Sequence, residues 1–254
     1  MTPVPSMSRN TGNFGKLADQ YKVGRKGVPE EVLDYLWSHI KKPKPTILDV
    51  GCGTGLPSRQ LARRGAEVIG TDIAPEMIRA AKENNQENIS YLVASTEALP
   101  FPDESFDAVT SFSAFHWFTD TGSTKEMKRV LKPGGSIFIV NKNDIGDFSQ
   151  GYRSIFRQYM TEDLPRIKNG YHPDQILHQA GFENIERAVF PVSEFFTIEQ
   201  VMEYFQSVSG WNLVPPESKK EALGLLKEYA QSRMSEDLIE RKIEIVVQTG
   251  VKPL

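Results

Sequence analysis

The stretch ILDVGCGTG at residues 47–55 limits the fold more than any other part of the chain. Its apolar residues Ile47, Leu48 and Val50 enclose one acid, Asp49, and stop at glycines in alternate positions, Gly51, Gly53 and Gly55, with Pro57 close behind. Glycine permits left-handed backbone and lets a main chain approach another group closely. Proline in the first turn of a helix loses nothing, because the N–H groups there have no partner inside the helix. The stretch therefore predicts a strand that turns sharply into a helix, with free helix N–H groups aimed at whatever lies over the turn.

The rest of the chain continues the alternation. β-rich runs are predicted at residues 47–50, 67–71, 89–94, 106–112 and 136–141, with helix-like segments between them, and that order implies an α/β, doubly wound, mostly parallel sheet. Gly65 stands where a left-handed helix end is wanted, Pro75 opens the next helix, and Pro43 and Pro45 separate an N-terminal helical region from the first strand. VLKPGGSIFIV is read as a helix ending over 132–135 and re-entering a strand. After Asn141 comes a polar stretch, then HPDQILHQAGF as a helix, NIERAVFPVSEF as a strand and RKIEIVVQT as a late strand able to pair with it antiparallel. Two amphipathic helices, in TIEQVMEYFQSVS and PESKKEALGLLKEYAQ, lie between those strands and read as a lid.

Composition closes several alternatives. A chain of 254 residues with 39% hydrophobic residues can bury a full core. Its net charge of −3 argues against a general nucleic-acid binder, which carries a basic domain or stripe. The single cysteine, Cys52, allows no intrachain disulfide and argues against a structural zinc site, which points to a reducing, cytoplasmic setting and to no metal. Nothing approaches the roughly 20 apolar residues of a membrane helix, and the first residues do not read as an export signal, so no membrane partner is expected.

The glycine turn departs from two familiar phosphate-binding loops. The dinucleotide fingerprint wants glycine at its sixth position, where this chain has Leu56, and the phosphate-cradling loop wants a Gly-Lys-Ser/Thr ending that is missing here. Asp72 ends the second strand in VIGTDIAPEM, where its carboxylate either accepts both hydroxyls of a ribose held over the glycines or caps the next helix.

Taken together, ILDVGCGTG, VIGTDIAPEMI, ASTEALPFPDESFDAV and VLKPGGSIFIV resemble, in order, motifs of the class I S-adenosylmethionine-dependent methyltransferases, over about residues 45–141. The resemblance implies a Rossmann-like seven-stranded sheet with a reversed last strand. It implies one domain over 1–254, with a helical cap at 1–44, a cofactor-binding core at 45–145 and a lid at 195–238. Carried over by position, it makes Asp49 and the backbone of Gly51, Cys52, Gly53 and Gly55 contacts for the methionine part of S-adenosyl-L-methionine, and Asp72 the ribose ligand. Ile73 and Met77 would flank adenine; Ser95 stands where the family often has aspartate, Thr96 offers a backbone N–H to the ring, and Glu97 is either a ligand or a surface carboxylate. Tyr21 and Arg25 match a cap motif that reaches the cofactor carboxylate, although Lys26 replaces the proline that usually follows; two ordinary surface residues are the alternative.

The segment SFSAFHWF is similar to an element of trans-aconitate methyltransferase-like small-molecule enzymes, and the resemblance implies Ser111 and Phe112 near the cofactor and His116 and Trp117 near the acceptor. His116 is the candidate base or a structural histidine, and Trp117 is a pocket wall or part of an aromatic cluster. Trp211 is either an acceptor-pocket wall or lid core, and Arg153, Arg157, Arg166 and Lys168 form a solvated loop or pair an acidic acceptor. With no base evident beyond His116, the expected function is methyl transfer to a small molecule, foremost to a carboxylate, which is already ionised at neutral pH. A protein or RNA methyltransferase and a noncatalytic cofactor-binding module keep the same motifs; Leu56 and the ordered motifs disfavour a nicotinamide oxidoreductase.

Overall fold

The structure, a computed structural model, describes residues 26–84, 86–160 and 171–254. Tyr21, Arg25, Arg166 and Lys168 lie outside them. Helix α1 (Glu30–Ile40) precedes β1 (Thr46–Val50), α2 (Leu56–Arg63), β2 (Glu67–Asp72), α3 (Pro75–Lys82) and β3 (Ile89–Val93). Strand β4 (Phe106–Phe112), a 3-10 turn at Phe115–Trp117, α4 (Thr121–Val130), β5 (Leu131–Asp144) and α5 (Asp147–Tyr159) follow. The chain ends with α6 (Pro173–Gln179), β6 (Glu183–Phe196), α7 (Ile198–Ser207), α8 (Lys219–Ser232), β7 (Met234–Ser235) and β8 (Leu238–Val251).

Strand order is β3-β2-β1-β4-β5-β8-β6, and the two-residue β7 pairs only with β8. Strands β1 to β5 pair in parallel, whereas β8 runs antiparallel to both β5 and β6. This is the expected sheet with its reversed last strand. The helix boundaries follow local chemistry: Gly55 precedes α2 in the left-handed region, Asp120 accepts the Ser123 N–H at the start of α4, and Thr197 and Gln200 form a reciprocal capping box on α7.

Three sequence expectations need correction. Helix α4 ends at Val130, not over 132–135: Pro133 drives Lys132 to extended backbone, and the KPGG stretch becomes an irregularity between the Phe106 to Leu131 and Ala108 to Ser136 pairs. The stretch after Asn141 is not polar coil, because β5 continues to Asp144 and α5 then buries Phe148, Ser149, Tyr152 and Phe156 along one face. Arg153 is therefore on a helix rather than a solvated loop, and it donates to Asp144 at 2.6 Å.

One sheet face packs against α1, α2 and α3 through Val32, Leu33, Leu61 and Ile78, with Phe138 and Ile245 opposite. The other face, carrying Leu48, Val109, Ile137 and Ile139, is covered by Phe115, by Met127 and Val130 of α4, and by Leu177 of α6. Strands β5, β8 and β6 run on past the end of β4, whose Phe112 pairs with Val140. That extension holds a third apolar cluster, built by α5, α7 and α8 around Phe196 and Ile239. A buried ionic network ties the extension together: Arg241 donates to Asp144 at 2.6 Å and to Glu194 at 2.7 Å, and Lys142 donates to Glu194 at 2.9 Å. Lys142 also takes the carbonyls of Lys26 and Gly27, at 2.8 Å each, while Gln60 exchanges two hydrogen bonds with the Val28 backbone. The chain just before α1 is thus pinned to α2 and β5.

Candidate active site

The open ends of β1, β2 and β4 meet at the glycine turn. Gly51, Gly53 and Gly55 all have positive φ, from 54° to 76°. A methyl group on Gly55 would strike the Tyr91 ring and hydroxyl, so this glycine is required by packing. Over Gly53 the same methyl group would meet nothing within 4 Å, so the crest of the turn faces open space. The Gly53 N–H is turned the other way, to Asp72.

Asp72 is where the two readings of its carboxylate meet. Its Oδ2 accepts the Gly53 N–H at 2.9 Å and its Oδ1 accepts the Ala74 N–H at 2.9 Å, just ahead of α3. It therefore braces the glycine turn and the entry to α3, and each oxygen keeps acceptor capacity for a ligand hydroxyl. Burial raises its pKa, with the amides of Ala74, Gly53 and Ile73 pulling the other way. Beside it Ile73 is 62% exposed, an apolar surface at the rim of the turn.

Asp49 sits beneath. It is 1% exposed, and its oxygens accept the Ser58 hydroxyl at 2.6 Å and the Thr110 hydroxyl at 3.1 Å. Burial pushes its pKa up to about 7, against the pull of those two hydroxyls. The side chain placed by sequence at the methionine part of a ligand is thus enclosed, supporting the turn from below. Cys52 is buried too, burial holds its thiol well above the ordinary range, and its N–H donates to the Thr71 carbonyl at 2.9 Å.

Met77 does not flank open space: it is 3% exposed, packed with Ala80 and Ala74, because the α3 face carrying it turns inward. Ser95 accepts the Glu97 N–H at 3.3 Å, Thr96 is buried against the Ser123 hydroxyl at 3.0 Å, and Glu97 is exposed. Phe112 packs on the core beside α1 and α2. Ser111 is fully buried, and among the described residues its Oγ has no hydrogen-bond partner. Just past β4, Ser113 adopts φ +54°, a conformation uncommon outside glycine, and donates its N–H to Val140 at 2.7 Å.

A cavity of about 470 Å³ opens beyond that point, lined among others by His116, Asn141, Asn143, Tyr171, Arg187 and Gln248. Burial lowers the His116 pKa, so the imidazole is neutral at pH 7. Its ring lies 4.8 Å from that of Trp117, which is 43% exposed, and 6.4 Å from Tyr171. Asn141 donates to the Tyr171 hydroxyl at 3.2 Å. Trp211 is not a wall of this cavity. It is 4% exposed, inside the helical cluster against Phe156 and under Lys219, because the short turn that carries it folds inward beneath α5.

Sequence reasoning brought together the glycine turn, Asp72, Ile73, Ser111 and His116. It missed Asn141, Tyr171, Arg187 and Gln248, which come from three strands and a loop far apart in the chain. A polar residue interrupting the apolar runs of β5 and β8, as Asn141 and Gln248 do, was the available signal.

A doubly wound sheet with a reversed strand, a glycine turn opening onto free space and an acid at the end of β2 define a class I methyltransferase core. Residues 48–139 match the methyltransferase domain family. A Dictyostelium discoideum protein classed as a methyltransferase is 26% identical over 89% of this chain and 88% of its own. Among solved structures, a type II methyltransferase of Anaeromyxobacter dehalogenans superposes with a TM-score of 0.69 at 18% identity, over 90% of this chain and 97% of that one. A Haemonchus contortus phosphoethanolamine N-methyltransferase, bound to S-adenosyl-L-methionine, superposes with a TM-score of 0.56 at 21% identity, over 99% of this chain and 61% of its own. Those two likenesses speak for the fold. The domain match and these relatives support a class I S-adenosylmethionine-dependent methyltransferase. Its residues suit that cofactor: the space over Gly53, the spare acceptor capacity of Asp72 and the exposed Ile73 offer what a methionine, a ribose and an adenine require.

Proposed function

We propose that this enzyme methylates a small molecule in the cytoplasm, and that the atom methylated is a carboxylate oxygen. The cavity beside His116 carries the reading, since its volume of about 470 Å³ suits a small organic ligand. The net charge of −3 argues against a general nucleic-acid binder.

In this reading the backbone of Gly51 to Gly55 holds the methionine part of the cofactor, Asp72 the ribose hydroxyls and Ile73 one face of adenine, with Ser95, Thr96 and Glu97 at the adenine edge. The helices within 195–238 act as the lid of this site. S-adenosylmethionine, when bound, supplies a methyl electrophile that a nucleophile must meet in line at about 3 to 3.5 Å. Positioning and the exclusion of water are then the chain's main contributions. His116, neutral at pH 7, offers one donor and one acceptor to orient the acceptor, with Trp117 beside it. A carboxylate, with a pKa of about 4, is already the reactive species and needs no base.

The test is transfer of a labelled methyl group from S-adenosylmethionine into cell extract, separated into small-molecule, protein and nucleic-acid fractions. Base-labile label among the small molecules is the expected result. Label in protein or RNA would overturn the acceptor class, and base-stable label on a small molecule would overturn the carboxylate.

A further inference from the structure

Across one face of the sheet, four strands contribute a single transverse row: Ser111 on β4 pairs with Ile139 on β5, Ile139 with Gln248 on β8, and Gln248 with Arg187 on β6. Directly paired residues present their side chains to the same face. Elsewhere this face is apolar, with Val109, Ile137 and Leu131 in the core. Three of the four residues in the row are polar, and two of them hold buried atoms without a partner among the described residues, Ser111 Oγ and Gln248 Oε1. Gln248 is 6% exposed and lines the cavity beside His116.

An unpartnered buried oxygen costs about 1 to 3 kcal/mol, so its retention at the floor of a cavity points to a ligand that supplies a donor. Arg187 stands next in the row, on the edge strand, and also lines the cavity. Among the described residues no carboxylate lies within ion-pair distance of its guanidinium. Asp174 lies on the same cavity at the start of α6, exposed to solvent. The amides of Asn141 and Asn143, on the next positions of β5 facing this way, extend the polar lining toward the end of β4.

We propose that Gln248 and Arg187 form a recognition subsite for the non-reacting end of the methyl acceptor, and that this end is a carboxylate with an adjacent hydroxyl. Arg187 takes the carboxylate through its fork of donors, and Gln248 Oε1 accepts the neighbouring hydroxyl. This rests on the small-acid reading above and narrows it: the acceptor is a hydroxylated acid with a second carboxylate, whose far end reaches the space beside His116. A hydrogen-bonding subsite of this kind discriminates strongly, because an analogue lacking the group leaves a buried polar atom unpaired.

Three matched probes test it. Malate carries both groups, succinate lacks the hydroxyl, and 3-hydroxybutyrate lacks the carboxylate beside it. Each is titrated calorimetrically into the protein saturated with S-adenosylhomocysteine. The wild type is expected to bind malate at least ~10-fold more tightly than either analogue, a difference of about 1.4 kcal/mol. Arg187→Met should abolish the preference over 3-hydroxybutyrate and keep that over succinate; Gln248→Leu should do the reverse. Unchanged S-adenosylhomocysteine affinity in both variants is the control for folding. Should Gln248→Leu fail that control, the wild-type preferences and Arg187→Met, a change at an exposed edge position, still decide the matter. Absence of malate binding, equal affinity for the three probes, or variants that keep both preferences would overturn the subsite. Because the readout is binding, malate that binds in the expected pattern supports the subsite even where base-stable label in the extract experiment refutes carboxylate methylation.

Discussion

Asp72 holds the glycine turn from the side: its Oδ2 accepts the Gly53 N–H at 2.9 Å, from the end of a neighbouring strand. One carboxylate thus shapes the loop that faces the cofactor and keeps acceptor capacity toward it. Asp72→Ala removes both contributions. Losing hydrogen bonds to a charged group costs about 1.5 to 3 kcal/mol, so affinity for S-adenosylhomocysteine should fall ~10- to 100-fold in calorimetry. Unchanged affinity would show that the ribose lies elsewhere.

Gly53 and Gly55 should respond differently to the same small change. Gly53→Ala places its methyl group in the open space over the turn. Left-handed backbone costs an L-residue about 1 to 2 kcal/mol, but the chief loss should be cofactor affinity. Gly55→Ala drives its methyl group into Tyr91, so overpacking adds about 1 to 3 kcal/mol of destabilisation to the backbone cost. Thermal melting with and without S-adenosylhomocysteine separates the two: Gly53→Ala should lose mainly the ligand-induced rise in Tm, Gly55→Ala mainly the Tm of the free protein.

Asp49 makes stability depend on pH. Its pKa is about 7 in the folded protein against 3.8 for an ordinary aspartate, with burial the chief cause. Between these values the folded chain binds a proton that the unfolded chain releases, so stability falls as pH rises through that window and levels off above it. Asp49→Asn removes the ionisation, and the Ser58 and Thr110 hydroxyls can each donate or accept to suit the amide. The variant should melt several degrees above the wild type at pH 8 and show no advantage at pH 4. A constant difference at both pH values would exclude ionisation of Asp49 as the cause.

Arg241 joins two buried carboxylates, Asp144 and Glu194, and stacks over the Tyr204 ring at 4.5 Å. Arg241→Met removes the cation that the two acids share, leaving Asp144 to Arg153 and Glu194 to Lys142. Breaking a buried pair from one side costs about 3 to 5 kcal/mol, which should appear as a lower midpoint in urea denaturation. A midpoint within error of the wild type would show that the network adds nothing to stability.

Much of this protein could be read without its structure. The glycine turn, Asp72 and the alternating runs from residue 46 to 112 depend on neighbours in sequence, so strand, turn and helix follow from local chemistry. The helix over 147–159 escaped notice because its aromatic stripe is spaced by polar residues and is apolar only on the face that meets α7 and α8. Met77 was misplaced, and Trp211 left open between pocket wall and lid core, for the converse reason: motif position names a residue, but the direction of its side chain depends on what packs against it.

The sequence alone determined the alternating strands and helices, because glycine, proline and an apolar period act between near neighbours, while the reversed strand and the class of cofactor came from the resemblance of four ordered motifs to a known family. The tertiary structure decided the acceptor side. Ser111, Ile139, Gln248 and Arg187 form one row only because β8 inserts antiparallel between β5 and β6. A one-residue slip in that pairing would turn the row to the opposite face, and no local signal in the chain specifies the register by which four distant segments meet.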